Sequence, residues 1–165
     1  MQEEQTPYFM YEFLRAFAER IERFSPRPEI LNTWGDAIFA VHESAPDMAA
    51  FAFALRDLIA DTDWAAKNLP ADLNARIALH AGPVFTGEDP VLRRGNAFGA
   101  HINRAARMEP VAVPGCVYAS EQFAALLAMK SPGGFDIEYV GVQDLPKDFG
   151  TQAMYHIRKR SAVAD

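Results

Sequence analysis

The chain has 165 residues, of which 50% are hydrophobic and 12% aromatic, enough for one domain with a hydrophobic core. Acidic residues outnumber basic ones by 22 to 16, and the net charge of -6 argues against a general nucleic-acid binder. Cys116 has no cysteine partner, and neither a signal peptide nor an apolar run of about 20 residues is present, so we expect a single soluble, cytoplasmic domain over residues 1–165 without a membrane segment.

The first part of the chain predicts two helices separated by a hairpin. Phenylalanine and isoleucine recur at three or four residues over residues 8–24, which is typical of an amphipathic helix. Residues 29–41 hold two short apolar runs on either side of a Gly-Asp step, which predicts a tight hairpin with Asp36 at its tip. Ser44 or Asp47 then caps a second helix that is rich in alanine and phenylalanine.

The second part of the chain alternates strands and helices. Ser120 precedes a run of helical periodicity and is interpreted as a helix cap, because it does not lie in a nucleophile-elbow motif. The order of elements predicts an α+β fold with helices on a largely antiparallel sheet and a core over residues 8–157. The predicted elements are a strand (76–82), a hairpin or arm (83–99), a helix (100–109), a strand (116–120), a helix (120–129), strands (135–142 and 153–157) and a frayed tail (158–165).

Asn103 and Arg107 are the first candidate site residues. They are four residues apart on a predicted helix, so their side chains share one face. A guanidinium beside an amide suits a phosphate that passes through a more negative transition state. The spacing also leaves open the alternative that Arg104 and Arg107 form surface ion pairs with acids such as Glu109.

Four segments, in this order, resemble the catalytic domain of the class III adenylyl and guanylyl cyclases. They are NTWGDAIFAV, RIALHAGPVFTG, FGAHINRAARMEP followed by PGCVYASEQF, and LPKDFG, and the resemblance extends over residues 8–157. It implies a ferredoxin-like sheet and a head-to-tail homodimer with the nucleotide at the interface. It also implies conversion of ATP or GTP to a 3′,5′-cyclic nucleotide and pyrophosphate in intracellular signalling. The alternative is a noncatalytic cyclase-like dimerisation or nucleotide-sensing domain.

The resemblance assigns chemical roles to three residues. Asp36 matches one of two aspartates that hold two magnesium or manganese ions, and the alternative is an ordinary turn aspartate. Asn103 matches the family's transition-state asparagine. Arg107 matches the arginine that stabilises the charge of the transition state.

The resemblance also implies substrate contacts at Asn32, Asn96 and Lys147. Asn32 and Asn96 occupy the positions that read the base, where adenylyl cyclases usually have lysine and aspartate and guanylyl cyclases glutamate and cysteine. An amide both donates and accepts, so neither ATP nor GTP follows, and both residues could instead be turn residues. Lys147 matches the triphosphate lysine, but the proline of LPKD shifts its register by one, and a solvated turn lysine is the alternative.

The chain departs from this resemblance at its beginning. The family's domain starts with an apolar strand that ends in the other metal-binding aspartate, whereas this chain reads MQEEQTPY and then enters the first helix. Glu3 and Glu4 do not follow a β-like run and are poor substitutes. Three explanations are open: a fragment of a longer cyclase, a partner or swapped segment that completes the sheet, or a noncatalytic relative.

Overall fold

The computed structural model of the protein describes residues 3–160, and its elements follow the predicted order. The N-terminal helical segment comprises α1 (Thr6–Tyr8), a π-helix (Phe9–Leu14) and α2 (Arg15–Glu22). It ends before residue 24 because the prolines that follow cannot continue a helix. The other elements are β1 (Ile30–Trp34), β2 (Ala37–Val41), α3 (Ala45–Asp61), β3 (Ile77–Leu79), β4 (Phe85–Asp89), β5 (Arg94–Phe98), α4 (Ala100–Met108), β6 (Val117–Ser120), α5 (Glu121–Lys130), β7 (Phe135–Asp144) and β8 (Thr151–Lys159).

Within residues 3–160 the strands form three sheets. The largest has the order β3-β6-β8-β7, in which β3 and β6 are parallel and the other pairs antiparallel. The hairpins β1-β2 and β4-β5 are separate two-stranded sheets. The predicted α+β fold with largely antiparallel pairing is therefore confirmed. Within the described chain, no strand bridges the hairpin β1-β2 and the large sheet, because neither β2 nor β3 pairs with a further strand on its open edge.

Helix α3 packs against both the large sheet and the first hairpin. Its N-cap is Ser44, whose Oγ accepts a hydrogen bond from the backbone N–H of Asp47 at 3.3 Å. Phe53 belongs to the apolar cluster that includes β3 and β6. Phe51 belongs to a second cluster with the N-terminal helical segment, and Ile38 of β2 packs against that cluster. Two faces of one helix thus connect two sheets that share no backbone pairing.

Aromatic rings hold the N-terminal helical segment in place. Phe13 lies between Phe9 and Phe17, with ring centroids 4.8 and 4.4 Å away, and its ring is 5.2 Å from that of Trp64. The rings of Phe9, Phe13 and Phe17 are buried, as the periodicity of residues 8–24 predicted, and the ring of Trp64 is buried with them. No helix of the described chain is long and apolar enough to cross a bilayer.

The last strand extends further than predicted. β8 includes Arg158 and Lys159, which were predicted to belong to a frayed tail. Arg158 forms an ion pair with Glu138 at 2.8 Å, and Lys159 forms one with Asp57 at 2.7 Å. The basic residues bind carboxylates that are distant in sequence, so their charge did not indicate the end of the strand. Residues 161–165 of the predicted tail lie outside the described residues.

Truncation of Phe53 tests the core around α3. Phe53 is fully buried, and its ring stacks on Phe135 with centroids 5.9 Å apart. We predict that Phe53→Ala lowers the free energy of unfolding by about 3–5 kcal/mol, because the change leaves a cavity. Phe85→Ala is the matched control: Phe85 is 74% exposed, and a surface change should stay within about 0.5 kcal/mol. Urea denaturation measures both, and equal losses would contradict this core.

Candidate active site

Helix α4 presents Asn103 and Arg107 on one side. The helix begins after Gly99, whose φ of +131° favours glycine, and the N–H of Asn103 donates to the Gly99 carbonyl at 3.3 Å. Ile102 and Met108 are buried at 8% and 0% exposure and attach the helix to the core. Asn103 is exposed and Arg107 half-buried, one helical turn apart. The predicted juxtaposition on a helix is confirmed.

Arg107 does not form the surface ion pair that was its alternative. Glu109 instead pairs with Arg76, at 3.6 Å. Within residues 3–160, neither the Arg107 guanidinium nor the Asn103 amide makes a hydrogen bond or ion pair. Both polar groups are therefore available to a ligand on this side of α4.

Arg104 has a different role from its neighbours because it attaches α4 to β8. Its guanidinium donates to Gln152 Oε1 at 3.1 Å and lies 5.3 Å from the centre of the Phe149 ring. Gln152 is only 7% exposed and also donates to the Ala153 carbonyl. These contacts connect α4 to the turn between β7 and β8, which carries Lys147.

Lys147 is exposed in that turn, as the alternative of a solvated turn lysine predicted. Lys147 and Asp148 have φ values of +60° and +53°, which residues other than glycine seldom adopt. A hydrogen bond of 2.8 Å from the N–H of Leu145 to the Gly150 carbonyl closes the turn. Within the described chain the ammonium group makes no hydrogen bond or ion pair.

Asp36 lies at the exposed tip of the hairpin β1-β2. The preceding Gly35 has a φ of +64°, which permits the tight turn and confirms the predicted hairpin. The described residues contain no group of three or more His, Cys, Asp or Glu that could hold a metal ion. The carboxylate of Asp36 suits magnesium or manganese as a donor. It fits as one ligand of a site whose other ligands come from phosphate, water or another chain.

Asn32 and Asn96 are hydrogen-bonded to each other. Asn32 is in the middle of β1 and Asn96 is in β5, so the alternative that both are turn residues is wrong. Asn32 Nδ2 donates to Asn96 Oδ1 at 3.0 Å, and Asn96 Nδ2 donates to Asp89 Oδ2 at 3.0 Å. Asp89 was missed in the sequence, where an acid before proline indicates only a turn.

A pair of histidines connects α4 to the end of β3. His80 Nε2 and His101 Nδ1 are 2.9 Å apart, and His80 Nδ1 is 2.8 Å from Ser120 Oγ. A Cβ added at Gly82 would lie 2.1 Å from His101 Nδ1, so this close approach requires glycine. Burial lowers the pKa of His80 to about 4, and His101 and Arg104 contribute to the shift. The sequence indicated neither contact, because these residues are distant along the chain.

Ser120 is the N-cap of α5, as predicted. Its Oγ accepts a hydrogen bond from the N–H of Phe123 at 3.3 Å. The side chain is completely buried and also contacts His80. Ser120 is thus a structural residue that attaches α5 to the histidine pair.

Comparison with known proteins identifies matches over nearly the whole chain. The family model described as "Adenylate and Guanylate cyclase catalytic domain" matches residues 1–159. No curated protein matches the chain. The guanylate cyclase domain of RhGC from Catenaria anguillulae, solved in complex with GTP, has 18% identity and a TM-score of 0.75, with 98% of this chain and 87% of that chain covered.

Two further solved structures have similar folds. The adenylyl cyclase CyaB from P. aeruginosa has 14% identity and a TM-score of 0.75, with 100% of this chain and 88% of that chain covered. A non-canonical dimeric guanylyl cyclase domain of the RhoGC fusion protein from the aquatic fungus Blastocladiella emersonii has 18% identity and a TM-score of 0.73, with 98% of this chain and 87% of that chain covered. At these identities the likeness shows the fold.

His80 makes stability depend on pH. Its folded-state pKa is about 4, and an unfolded histidine titrates near about 6.5, so the unfolded state takes up the proton first as the pH falls. The free energy of unfolding should therefore decrease from about pH 6.5 towards pH 4. We predict that His80→Gln weakens this decrease, because the variant has no imidazole to protonate. Urea midpoints at pH 7 and pH 5 measure it, and the same decrease in both proteins would contradict the assignment.

Proposed function

We propose that the chain, which belongs to the adenylate and guanylate cyclase catalytic domain family, converts a purine nucleoside triphosphate to a 3′,5′-cyclic nucleotide and pyrophosphate. The observation that carries this proposal is the pair Asn103 and Arg107, one turn apart on α4 and without partners in the described chain. The reaction is attack of the ribose 3′ hydroxyl on the α-phosphorus. We assign it to intracellular signalling in the cytoplasm.

Arg107 stabilises the transition state electrostatically. Negative charge on the phosphoryl oxygens increases as the 3′ oxygen approaches and pyrophosphate leaves. The guanidinium is always charged and offers several N–H donors in one plane, which match two phosphoryl oxygens. Its position on the last turn of α4 is fixed by the buried Met108 beside it. A donor that is held in place before the reaction costs no reorganisation when the charge appears.

Asn103 orients the ribose. Its amide is exposed on the same side of α4 and can donate to one ribose oxygen while accepting from a hydroxyl. Such contacts hold the 3′ oxygen in line with the phosphorus and reduce the entropy lost on reaching the transition state. Arg104, between Asn103 and Arg107, does not contact the substrate in this proposal, because Gln152 and Phe149 already hold it.

Asp36 is the proposed metal ligand. Proteins of this family generally depend on a divalent metal, and magnesium or manganese prefers carboxylate and phosphate oxygens. When bound, the ion supplies positive charge at the phosphates and lowers the pKa of the hydroxyl that attacks. The exposed hairpin tip leaves the carboxylate accessible to an ion that the triphosphate brings. Lys147, also exposed, is the proposed triphosphate contact.

Asn32 and Asn96 are the proposed contacts to the base. Amide groups match the hydrogen-bonding edge of either purine, so the proposed substrates are ATP and GTP. The similar domain from Catenaria anguillulae was solved with GTP, and the similar protein from P. aeruginosa is an adenylyl cyclase. Both similarities support a purine nucleotide as the substrate class.

We further propose a homodimer with the site at its interface. Within the described chain, no hydrogen bond or ion pair connects Asp36 to α4. A head-to-tail pair would bring Asp36 of one chain to Asn103 and Arg107 of the other, with two identical sites by symmetry. The similar fungal domain forms a non-canonical dimer, which supports self-association of domains with this fold but does not supply the head-to-tail arrangement.

Substitution of Arg107 tests the function. We predict that Arg107→Ala lowers kcat by about 10²- to 10³-fold with manganese and the preferred triphosphate, the usual effect of removing one transition-state donor. Cyclic AMP and cyclic GMP are quantified by chromatography. Arg15→Ala is the control, because Arg15 is exposed on α2 and its one ion pair within residues 3–160 is with Glu19 across one turn. Undiminished product from Arg107→Ala, or none from the unmodified chain with either triphosphate, would contradict the proposal.

A further inference from the structure

The amides of Asn32 and Asn96 belong to a hydrogen-bonded chain that begins at Asp89. Asp89 Oδ1 accepts the backbone N–H groups of Val91 and Leu92 at 2.9 and 3.0 Å. Its Oδ2 accepts from Asn96 Nδ2 at 3.0 Å. The N–H of Leu92, the Asn96 amide and the N–H of Val91 hold the pKa of Asp89 below its ordinary value. At neutral pH both oxygens therefore accept, and Asn96 has to present its amino group to Asp89.

The orientation of Asn96 determines that of Asn32. Asn96 Oδ1 accepts the N–H of Ala97 at 2.9 Å and Asn32 Nδ2 at 3.0 Å. Asn32 thus has its amino group towards Asn96, and its carbonyl lies at the free end of this series of hydrogen bonds. Asn32 is only 4% exposed, and its buried Oδ1 has no hydrogen-bond partner among the described residues. Buried carbonyl oxygens usually accept a hydrogen bond, so this one indicates a missing donor.

We infer that Asp89 is a positioning residue for base recognition, which orients Asn32 through Asn96 so that Asn32 Oδ1 accepts an N–H from the purine. The inference rests on the proposed function, which assigns Asn32 and Asn96 to the base. Asp89 does not touch the nucleotide; it determines which atom of Asn32 faces the nucleotide. The recognised group is an N–H on the purine edge, either the 6-amino group of adenine or the N1–H and 2-amino groups of guanine.

Asp89→Asn should reverse the whole chain of hydrogen bonds. The carbonyl of the new amide can still accept from Val91 and Leu92, which preserves the turn. Its amino group then meets the amino group of Asn96, and two donors cannot pair. Asn96 has to flip, at the loss of the bond from Ala97, and Asn32 flips in response. The Asn32 group at the free end of the hydrogen-bond series changes from an acceptor to a donor, while the substitution changes the side-chain volume and the backbone little.

The test measures the affinities for 3′-deoxyATP and 3′-deoxyGTP by calorimetry with magnesium. Both probes lack the hydroxyl that attacks, so binding is read without turnover, and inorganic tripolyphosphate reports the phosphate contacts alone. Adenine and guanine present opposite hydrogen-bonding groups at positions 1 and 6, so an Asn32 amide that donates instead of accepting favours the other purine. We therefore expect Asp89→Asn to change the ratio of the two dissociation constants by about tenfold or more. The affinity for tripolyphosphate should not change.

Asp63→Asn is the matched control. Asp63 Oδ1 accepts the N–H of Ala66 at 3.1 Å, so it also caps a turn, but none of its described hydrogen bonds leads to Asn96 or Asn32. The control should leave the ratio unaltered. Asn32→Leu is a second variant that removes the acceptor without changing the Asp89 turn, and it should bring the ratio of dissociation constants towards one. It keeps the inference testable if Asp89→Asn fails to fold.

The outcomes separate the inference from the proposed function. A changed ratio in Asp89→Asn, with an unchanged ratio in Asp63→Asn, supports the inference. An unchanged ratio, or equal weakening of both nucleotides, overturns it and leaves Asp89 as a turn residue. If the unmodified chain binds tripolyphosphate but binds neither purine nucleotide more tightly than tripolyphosphate, the inference alone is overturned. Failure of the unmodified chain to bind any of the three probes overturns the proposed function and the inference with it.

Discussion

Apolar packing on two faces of α3 holds together the parts of the structure that carry the site. The hairpin β1-β2 and the large sheet share no backbone ladder in the described chain, so hydrophobic burial against α3 sets their relative position. Phe53 contacts one side and Phe51 the other. Asp36 and Asn32 lie on the hairpin, whereas α4 packs near β3. The packing on this helix and the hydrogen bond from Asn32 to Asn96 of β5 together place the hairpin relative to the rest of the proposed site.

Polar contacts then orient the site within this apolar framework. The His80-His101 contact attaches the beginning of α4 to the end of β3, and the bond from Arg104 to Gln152 attaches its middle to β8. Asn103 and Arg107 are left without partners in the described chain on a helix that is held at several points. This arrangement suits catalysis, because donors that are rigid before the reaction stabilise charge better than donors that have to move.

The sequence predicted the order of the elements well because periodicity reports burial. The phenylalanine spacing of the first helix, the Gly-Asp hairpin and the caps at Ser44 and Ser120 are local patterns, and the structure confirms each. The predicted end of β8 was wrong because Lys159 binds Asp57, a partner far away in the sequence. The role of Asp89 and the direction of the Asn32 amide were not predictable for the same reason. Each depends on contacts between strands that only the folded chain brings together.

The central claim is that Asp36 of one chain and Arg107 of another serve the same site. Mixing of two inactive variants, Asp36→Ala and Arg107→Ala, tests it most directly. In a symmetric dimer each mixed pair regains one intact site of two, and random exchange makes half of the dimers mixed, so about a quarter of the original cyclase activity should return. Activity that stays at the level of the separate variants, after exchange of subunits is demonstrated, would contradict a site shared between two chains.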